Sequence, residues 1–401
     1  MIIVGTGEAD GAPARYRTAM VMRSDPPRLL TGARVVTPSG VIDGGVVELV
    51  DGLIAGVGPG NAATIAAGTI DLDGGWLLPG FIDLHMHGGG GHDLTASAAD
   101  TAAAVAFHRS HGTTRTLVSL MAQPVAAMVD QLGWLARATR AGEIAGVHLE
   151  GPFLSAAQCG AQRPENLLLP DDAVLQALLE AGQGAIRTVT VAPELPGALD
   201  LIHDLVSAGV TAAVGHTAAS YDQTIAAFQA GATLATHLFN AMGSFDHRTS
   251  GAALAALDAG AVVEVINDGA HLHHSLVRLA ARGTRMALIT DAISATGMGD
   301  GLYGLGDQQV RVEGGEALTA SVQPGKRAGS TLTMDAALRR AVLGIGLPIE
   351  VASTAASTTP ARVLGLHDVC GAISEGLAAD LVVLDDDLRI RRVMVAGNWI
   401  G

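Results

Sequence analysis

Phe81-Ile82-Asp83-Leu84-His85-Met86-His87-Gly88 joins an apolar run of strand length to a His-x-His pair. Residues i and i+2 of a strand share a face, so His85 and His87 point the same way at the strand's carboxyl end. Seven further apolar runs follow: Arg115–Leu120, Ala145–Leu149, Arg187–Val191, Ala212–Gly215, Thr233–Leu238, Val262–Ile266 and Met286–Thr290. Ala-rich stretches of helical length separate most of them. Alternating strand and helix implies a parallel sheet, and eight repeats imply closure into an α/β (β/α)8 TIM barrel. A doubly wound open sheet is the competing architecture.

Outside this repeat the pattern changes. Residues 29–79 carry short Val/Ile-rich runs between Gly, Pro and Asp, namely Ala33–Val36, Val46–Val50 and Leu53–Val57. That is the signature of a small antiparallel sheet. Asp380–Leu384 and Ile390–Val395 repeat it at the other end. The two ends are expected to meet as one β-sandwich domain, residues 25–79 plus 375–401, beside a barrel over 80–374. Residues 300–328, Gly-rich with alternating Val, predict a hairpin or lid inserted after the eighth strand. Residues 1–24 carry several charges and lack the apolar core of a signal peptide. They read as a loosely ordered extension, with Met20 or Met22 as an alternative start.

Hydrophobic residues make up 49% of the 401 and aromatics only 3%, so the core must rest on Ala, Val, Leu and Ile. The net charge of −15 argues against nucleic acid as a partner. It also obliges any anionic substrate to find a local Arg, His, backbone N–H or metal. Two cysteines, Cys159 and Cys370, cannot build a disulfide framework, which fits a reducing cytoplasm. The longest uncharged stretch, Leu205 to Tyr221, contains Ser, Thr, Gly and His216 and reads as a buried strand with its turns, not a membrane span.

Barrel enzymes place their chemistry at the carboxyl ends of the strands. His85 and His87 end the first run, His148-Leu149-Glu150 the third, His216 the fifth, His237 the sixth and Asp291 the eighth. Four imidazoles and two carboxylates thus fall at one end of the inferred barrel. Such donors suit zinc or another first-row divalent ion. Alone, His-x-His is explained as well by a hydrogen-bonded core pair, and Asp291 by an N-cap for the following helix. The whole set resists that explanation, because burying this many polar groups is costly unless they are paired or metal-bound.

The chain resembles the N-acetylglucosamine-6-phosphate deacetylases of the amidohydrolase superfamily from about residue 29 onward. The resemblance is carried by Pro79 to Gly88, His148-Leu149-Glu150-Gly151-Pro152-Phe153, Gly215-His216-Thr217, Thr236 to Met242, Asp268-Gly269-Ala270-His271, Thr290 to Gly297 and Ala328-Gly329-Ser330-Thr331-Leu332. It implies a metal-dependent hydrolase that releases acetate from N-acetyl-D-glucosamine 6-phosphate, leaving D-glucosamine 6-phosphate. It implies that Glu150, His216 and His237 hold the main ion, zinc first among the candidates. His85, His87 and Asp291 are implied at a second ion bridged by Glu150, so one or two ions per subunit are expected. Asp291 is the implied general base and acid, and His271 the donor to the substrate. Asn240 and Ala241, with Arg248 nearby, are the implied phosphate site, in this chain or across a homodimer. The plain alternative for Arg248 is an ordinary solvated side chain.

Some positions carry less. His148 shares a face with Glu150 and either orients that carboxylate or belongs to the core. Asp83 is expected to support the first-strand ligands. Gly88 to Gly91 reads as a flexible loop that admits substrate. His92, His108, His111, His203 and His367 read as structural. Many relatives carry Lys and His after Glu-Gly-Pro-Phe, where this chain has Ala157-Gln158-Cys159-Gly160-Ala161-Gln162-Arg163. Cys159 there is a spare thiol or, in an exposed loop, a redox-sensitive one. The rival functions are another N-acyl amino-sugar deacetylase or cyclic amidase of the same superfamily, and a catalytically dead barrel serving as a scaffold.

Overall fold

The computed structural model describes residues 28–60, 68–243, 245–282, 285–320 and 324–400. The expected extension over residues 1–24 lies outside them. Eight parallel strands form the central sheet: Phe81–Asp83, Thr113–Met121, Gly146–Glu150, Ile186–Val191, Thr211–Val214, Leu234–Ala235, Val262–Ile266 and Met286–Ile289, here strands one to eight. They follow one another around the barrel in sequence order. All eight expected runs are strands, with ends displaced by at most three residues.

Strands one and eight are the two ends of the hydrogen-bonded path. They meet just beyond their carboxyl ends, where Met86 and Ala292 form a parallel bridge. Asp291 N donates to His85 O at 2.9 Å and His87 N to Ala292 O at 2.7 Å. Asp83 stitches the same seam. Its carboxylate accepts from the His85 and Thr290 backbone N–H groups, each at 3.2 Å, and from the Thr290 hydroxyl at 2.6 Å. Burial outweighs these bonds and raises the Asp83 carboxyl to about 7.

The helices between strands start where the sequence supplies caps. The Ser97 and Asp171 side chains accept from Asp100 N and Val174 N, and Ser220 forms a capping box with Gln223. Apolar helix faces pack on the strands in two large clusters built mainly from Ala, Val, Leu and Ile.

The chain ends meet in a second eight-stranded sheet. Its pairings are antiparallel except two: Arg28–Thr37 runs parallel to Thr69–Asp71 and to Trp76–Pro79. Trp76–Pro79 links the halves, pairing on its other side with Leu381–Leu384. Leu30, Val47, Leu77, Leu381 and Met394 share the apolar core of this sheet. Residues 300–328 contain a three-stranded antiparallel sheet, Gly301–Leu305, Gln308–Glu313 and Glu316–Thr319. Val310 and Val312 face inward between exposed Gln309, Arg311 and Glu313, and pack with Met121 and Ile293 over the barrel mouth.

Candidate metal centre and substrate cavity

The six donors meet at the carboxyl end of the barrel, all at most 7% exposed. Glu150 ends strand three in regular geometry. The other five lie just past the ends of their strands. His216, His237 and Asp291 have φ of 47°, 28° and 50°, a region that side chains other than glycine's rarely adopt. Each such residue costs on the order of 1–3 kcal/mol, and they cluster where a side chain must be aimed. At Asp291 the conformation is held by its own N–H to His85 O and by Ser330 N–H, which donates to Asp291 O at 2.7 Å.

Two triads result, His85–His87–Asp291 and Glu150–His216–His237, each with its donor atoms within 4.8 Å of one another. Glu150 Oε1 lies 3.0 Å from His216 Nε2, 3.1 Å from His237 Nε2 and 3.5 Å from His85 Nε2. Asp291 Oδ1 lies 3.3 Å from His87 Nε2 and 3.6 Å from His85 Nε2. A tetrahedral ion with bonds of about 2.0–2.1 Å has ligand atoms about 3.3 Å apart. The observed separations bracket that value.

The tautomers point the same way. His85 Nδ1 faces Glu264 Oε2 at 3.3 Å, His87 Nδ1 faces Ser119 O at 3.2 Å and His216 Nδ1 faces Gln158 O at 2.9 Å. These partners only accept, so each Nδ1 carries a hydrogen and Nε2 is the ring atom turned to the centre, a ligand atom wherever it is unprotonated. His85 and His87 then oppose two Nε2 lone pairs at 3.2 Å, beside carboxylate oxygens. Lone pairs so gathered require protons or a cation between them. Electrostatics agrees. Burial alone depresses the His85 ring, but Asp291 and Glu150 reverse that and raise it to about 10. Burial likewise raises Glu150 and Asp291, yet the facing imidazoles bring both below their ordinary values, Glu150 far below. The donor set fits a divalent metal ion.

A cavity of about 160 Å³ opens over this centre. His87, Glu150, His216, His237 and Asp291 line it, and Asn240, Ala241 and His271 face it. His271 Nδ1 donates to Asp268 Oδ2 at 2.6 Å, leaving Nε2 for a ligand. Burial raises the Asp268 carboxyl, but its bonds from His271 and Ala270 hold it below the ordinary value. Arg248 is exposed and does not line this cavity. The guanidinium that does is Arg327, paired with Glu316 at 3.1 Å on the returning segment of the lid.

The neighbours of the six donors divide. Of its two expected places, His148 takes the core and does not orient Glu150. Its nitrogens bond the Ser119 hydroxyl at 2.9 Å and the Thr190 hydroxyl at 2.8 Å in the barrel interior. Gln162 takes that place, donating to Glu150 Oε2 at 2.7 Å while accepting Ala122 N–H at 2.9 Å. Gly88 to Gly91 is no open loop. Its N–H groups bond Ala292, Thr296 and Ser294 carbonyls at 2.8–2.9 Å, and a Cβ on Gly88 would lie 2.6 Å from Ser294 N. Cys159 is buried, not exposed.

Residues 76–400 match the amidohydrolase family. The chain belongs to that family. This amidohydrolase is 35% identical over 378 residues to an N-acetylgalactosamine-6-phosphate deacetylase of Escherichia coli O157:H7, covering 92% of the chain and 98% of the relative. It is 36% identical to the human N-acetylglucosamine-6-phosphate deacetylase, covering 82% and 84%. Among solved structures it is similar to an N-acetyl-D-glucosamine-6-phosphate deacetylase variant from Mycobacterium smegmatis in complex with N-acetyl-D-glucosamine-6-phosphate. That match has 43% identity and a TM-score of 0.89, over 94% of this chain and 99% of the other.

Proposed function

We propose that this amidohydrolase hydrolyses the acetamide of N-acetyl-D-glucosamine 6-phosphate, giving D-glucosamine 6-phosphate and acetate. The observation that carries the reading is the convergence of both donor triads and His271 on one cavity. Glu150, His216 and His237 would hold one divalent ion, zinc by donor type, and His85, His87 and Asp291 a second. A divalent ion held there lowers the pKa of bound water toward neutrality and polarises a carbonyl oxygen. Asp291, kept ionised by His85 and His87, accepts the proton of the attacking water. Oxygen adds to the acetyl carbon, the C–N bond breaks, and Asp291 passes that proton to the departing amine. His271, oriented by its Nδ1 bond to Asp268, is the donor to the oxyanion or the sugar through Nε2. The backbone at Asn240 and Ala241 and the Arg327 guanidinium meet the phosphate.

A second reading, deacetylation of the galactosamine epimer, is favoured by the match over 98% of the Escherichia coli relative. The substrate class is one of phosphorylated metabolites, and two cysteines without a disulfide bond suit the cytoplasm. The exposed position of Arg248, outside its own chain's cavity, suits a homodimer in which it serves the neighbour. Among the described residues no helix is long and apolar enough to cross a membrane.

The test is acetate release from N-acetylglucosamine 6-phosphate, its galactosamine epimer and unphosphorylated N-acetylglucosamine, with and without a chelator. Expected are turnover of a phosphorylated hexosamine, its loss on chelation and its return with Zn²⁺. Turnover that survives complete metal removal, or no preference for the phosphorylated sugars, overturns the reading. The ratio of the two epimers' kcat/KM decides between its two forms.

A further inference from the structure

Glu264 lies in the middle of strand seven, Val262-Val263-Glu264-Val265-Ile266, and is 1% exposed. A carboxylate in so apolar a strand is costly unless hydrogen bonds hold it. Its Oε2 accepts from two donors, His85 Nδ1 at 3.3 Å and the His237 backbone N–H at 3.2 Å. One donor belongs to each triad. The bond to His85 has a geometric consequence, because a carboxylate can only accept. The hydrogen must sit on Nδ1, and the Nε2 lone pair must face His87, Glu150 and Asp291. Without that acceptor, the Glu150 and Asp291 carboxylates, 3.5 and 3.6 Å from Nε2, favour the other tautomer, which presents an N–H to the centre instead of a ligand atom. His237 is affected less, since Glu264 touches its backbone and not its ring.

We propose that Glu264 is a positioning residue for the metal centre. By fixing the tautomer and orientation of His85, it determines whether the His85–His87–Asp291 triad holds a cation of its own. The inference rests on the divalent-metal reading above. Both bonds use the same oxygen, so Glu264→Gln keeps an acceptor at that point and loses only the charge, whereas Glu264→Met keeps the bulk and loses the acceptor.

The experiment titrates metal-free full-length protein with Zn²⁺ against a chromophoric chelator, and with Co²⁺ by visible absorption. Wild type is expected to take up metal in two phases, one per triad. Outer partners of metal-bound histidines are worth about 10–100-fold in affinity. Glu264→Met should therefore weaken one phase by about that factor, with the matching Co²⁺ band lost, and leave the other phase in place. Glu264→Gln should restore most of the weakened phase. Where the Met variant does not fold, Glu264→Asp, which withdraws the acceptor by one methylene, should weaken the same phase. Two unchanged phases in the Met or Asp variant overturn the positioning role and leave the metal reading standing. Parallel loss of both phases marks a structural prop and overturns it equally, as does a single phase in wild type. Failure of wild type to bind either metal overturns the metal reading itself.

Discussion

Replacing Asp291 by Asn separates chemistry from architecture. The amide is isosteric, and Asn is among the few residues that tolerate the left-handed backbone, φ 50°, that Asp291 adopts. Its main-chain bonds to His85 O and Ser330 N do not involve the side chain. The seam and the cavity should therefore survive. What disappears is a proton acceptor whose ionised form His85 and His87 stabilise at 3.6 and 3.3 Å, together with the carboxylate of the second triad. Proton transfer by a positioned side chain contributes about 10²–10⁴-fold, or ~3–5 kcal/mol of barrier at 1.36 kcal/mol per decade. The expected result is a kcat for acetate release lower by that factor, with KM changed by no more than about threefold, because ground-state contacts to the sugar are intact. Metal at Glu150, His216 and His237 should persist, which elemental analysis of the dialysed protein checks. A variant with its metal retained and kcat within about tenfold of wild type would refute the role of Asp291 as the proton carrier.

Three further outcomes are expected. Gln162→Leu removes the hydrogen bonds to Glu150 Oε2 and Ala122 N–H in a buried place; at about 1–3 kcal/mol each, urea denaturation should show a loss of ~2–6 kcal/mol, and a loss under ~1 kcal/mol contradicts the role given to this side chain. Arg327→Gln should raise KM for the phosphorylated substrate by about tenfold or more with kcat nearly unchanged, on the usual worth of a charge-assisted bond; an equal rise for the unphosphorylated sugar rules out a phosphate contact. Burial depresses the His108 ring from 6.5 to about 4, despite its Nε2–H bond to Gly88 O at 2.9 Å. Between those pH values the unfolded chain takes up a proton that the folded one refuses, so stability should fall by up to ~3 kcal/mol as pH drops from 6.5 to 4, and His108→Leu should flatten that limb; an unaltered slope excludes His108 as its source.

The eight barrel strands were legible because each is a short apolar run bounded by polar or glycine residues, and because helices of the right length intervene. Val262–Ile266 was read to the residue. Trp76–Pro79 was not, since four residues next to a proline carry no periodicity, and its place between the two chain ends is a matter of pairing alone. The six candidate ligands were legible for a related reason: an ionisable side chain that ends an apolar strand has few places to go except the barrel mouth. Gln162 and Arg327 come from loops, where nothing periodic relates sequence position to direction. Arg248 illustrates the converse, a plausible cation on a loop that does not reach its own chain's cavity. Glu264 did leave a signal, a lone carboxylate within a five-residue apolar strand, which by burial cost alone demands a specific partner.

The position of the second triad follows from how the barrel closes. Strands one and eight do not pair along their length, so the sheet is joined only beyond their carboxyl ends, through Met86–Ala292, His85–Asp291, His87–Ala292 and Asp83–Thr290. His85 and His87 stand on one side of that seam and Asp291 on the other. Any cation bound by the three bridges the first and last strands, whereas one bound by Glu150, His216 and His237 spans strands that are already linked through their neighbours. Binding at the two triads is thus unequal in its effect on the fold. At the seam, binding free energy is also closure free energy, because the ligands come together only when the barrel does. This gives a physical reason for the hydrogen bonds crowded around Asp83 and Asp291: they hold the two lips of the sheet in register when no cation does.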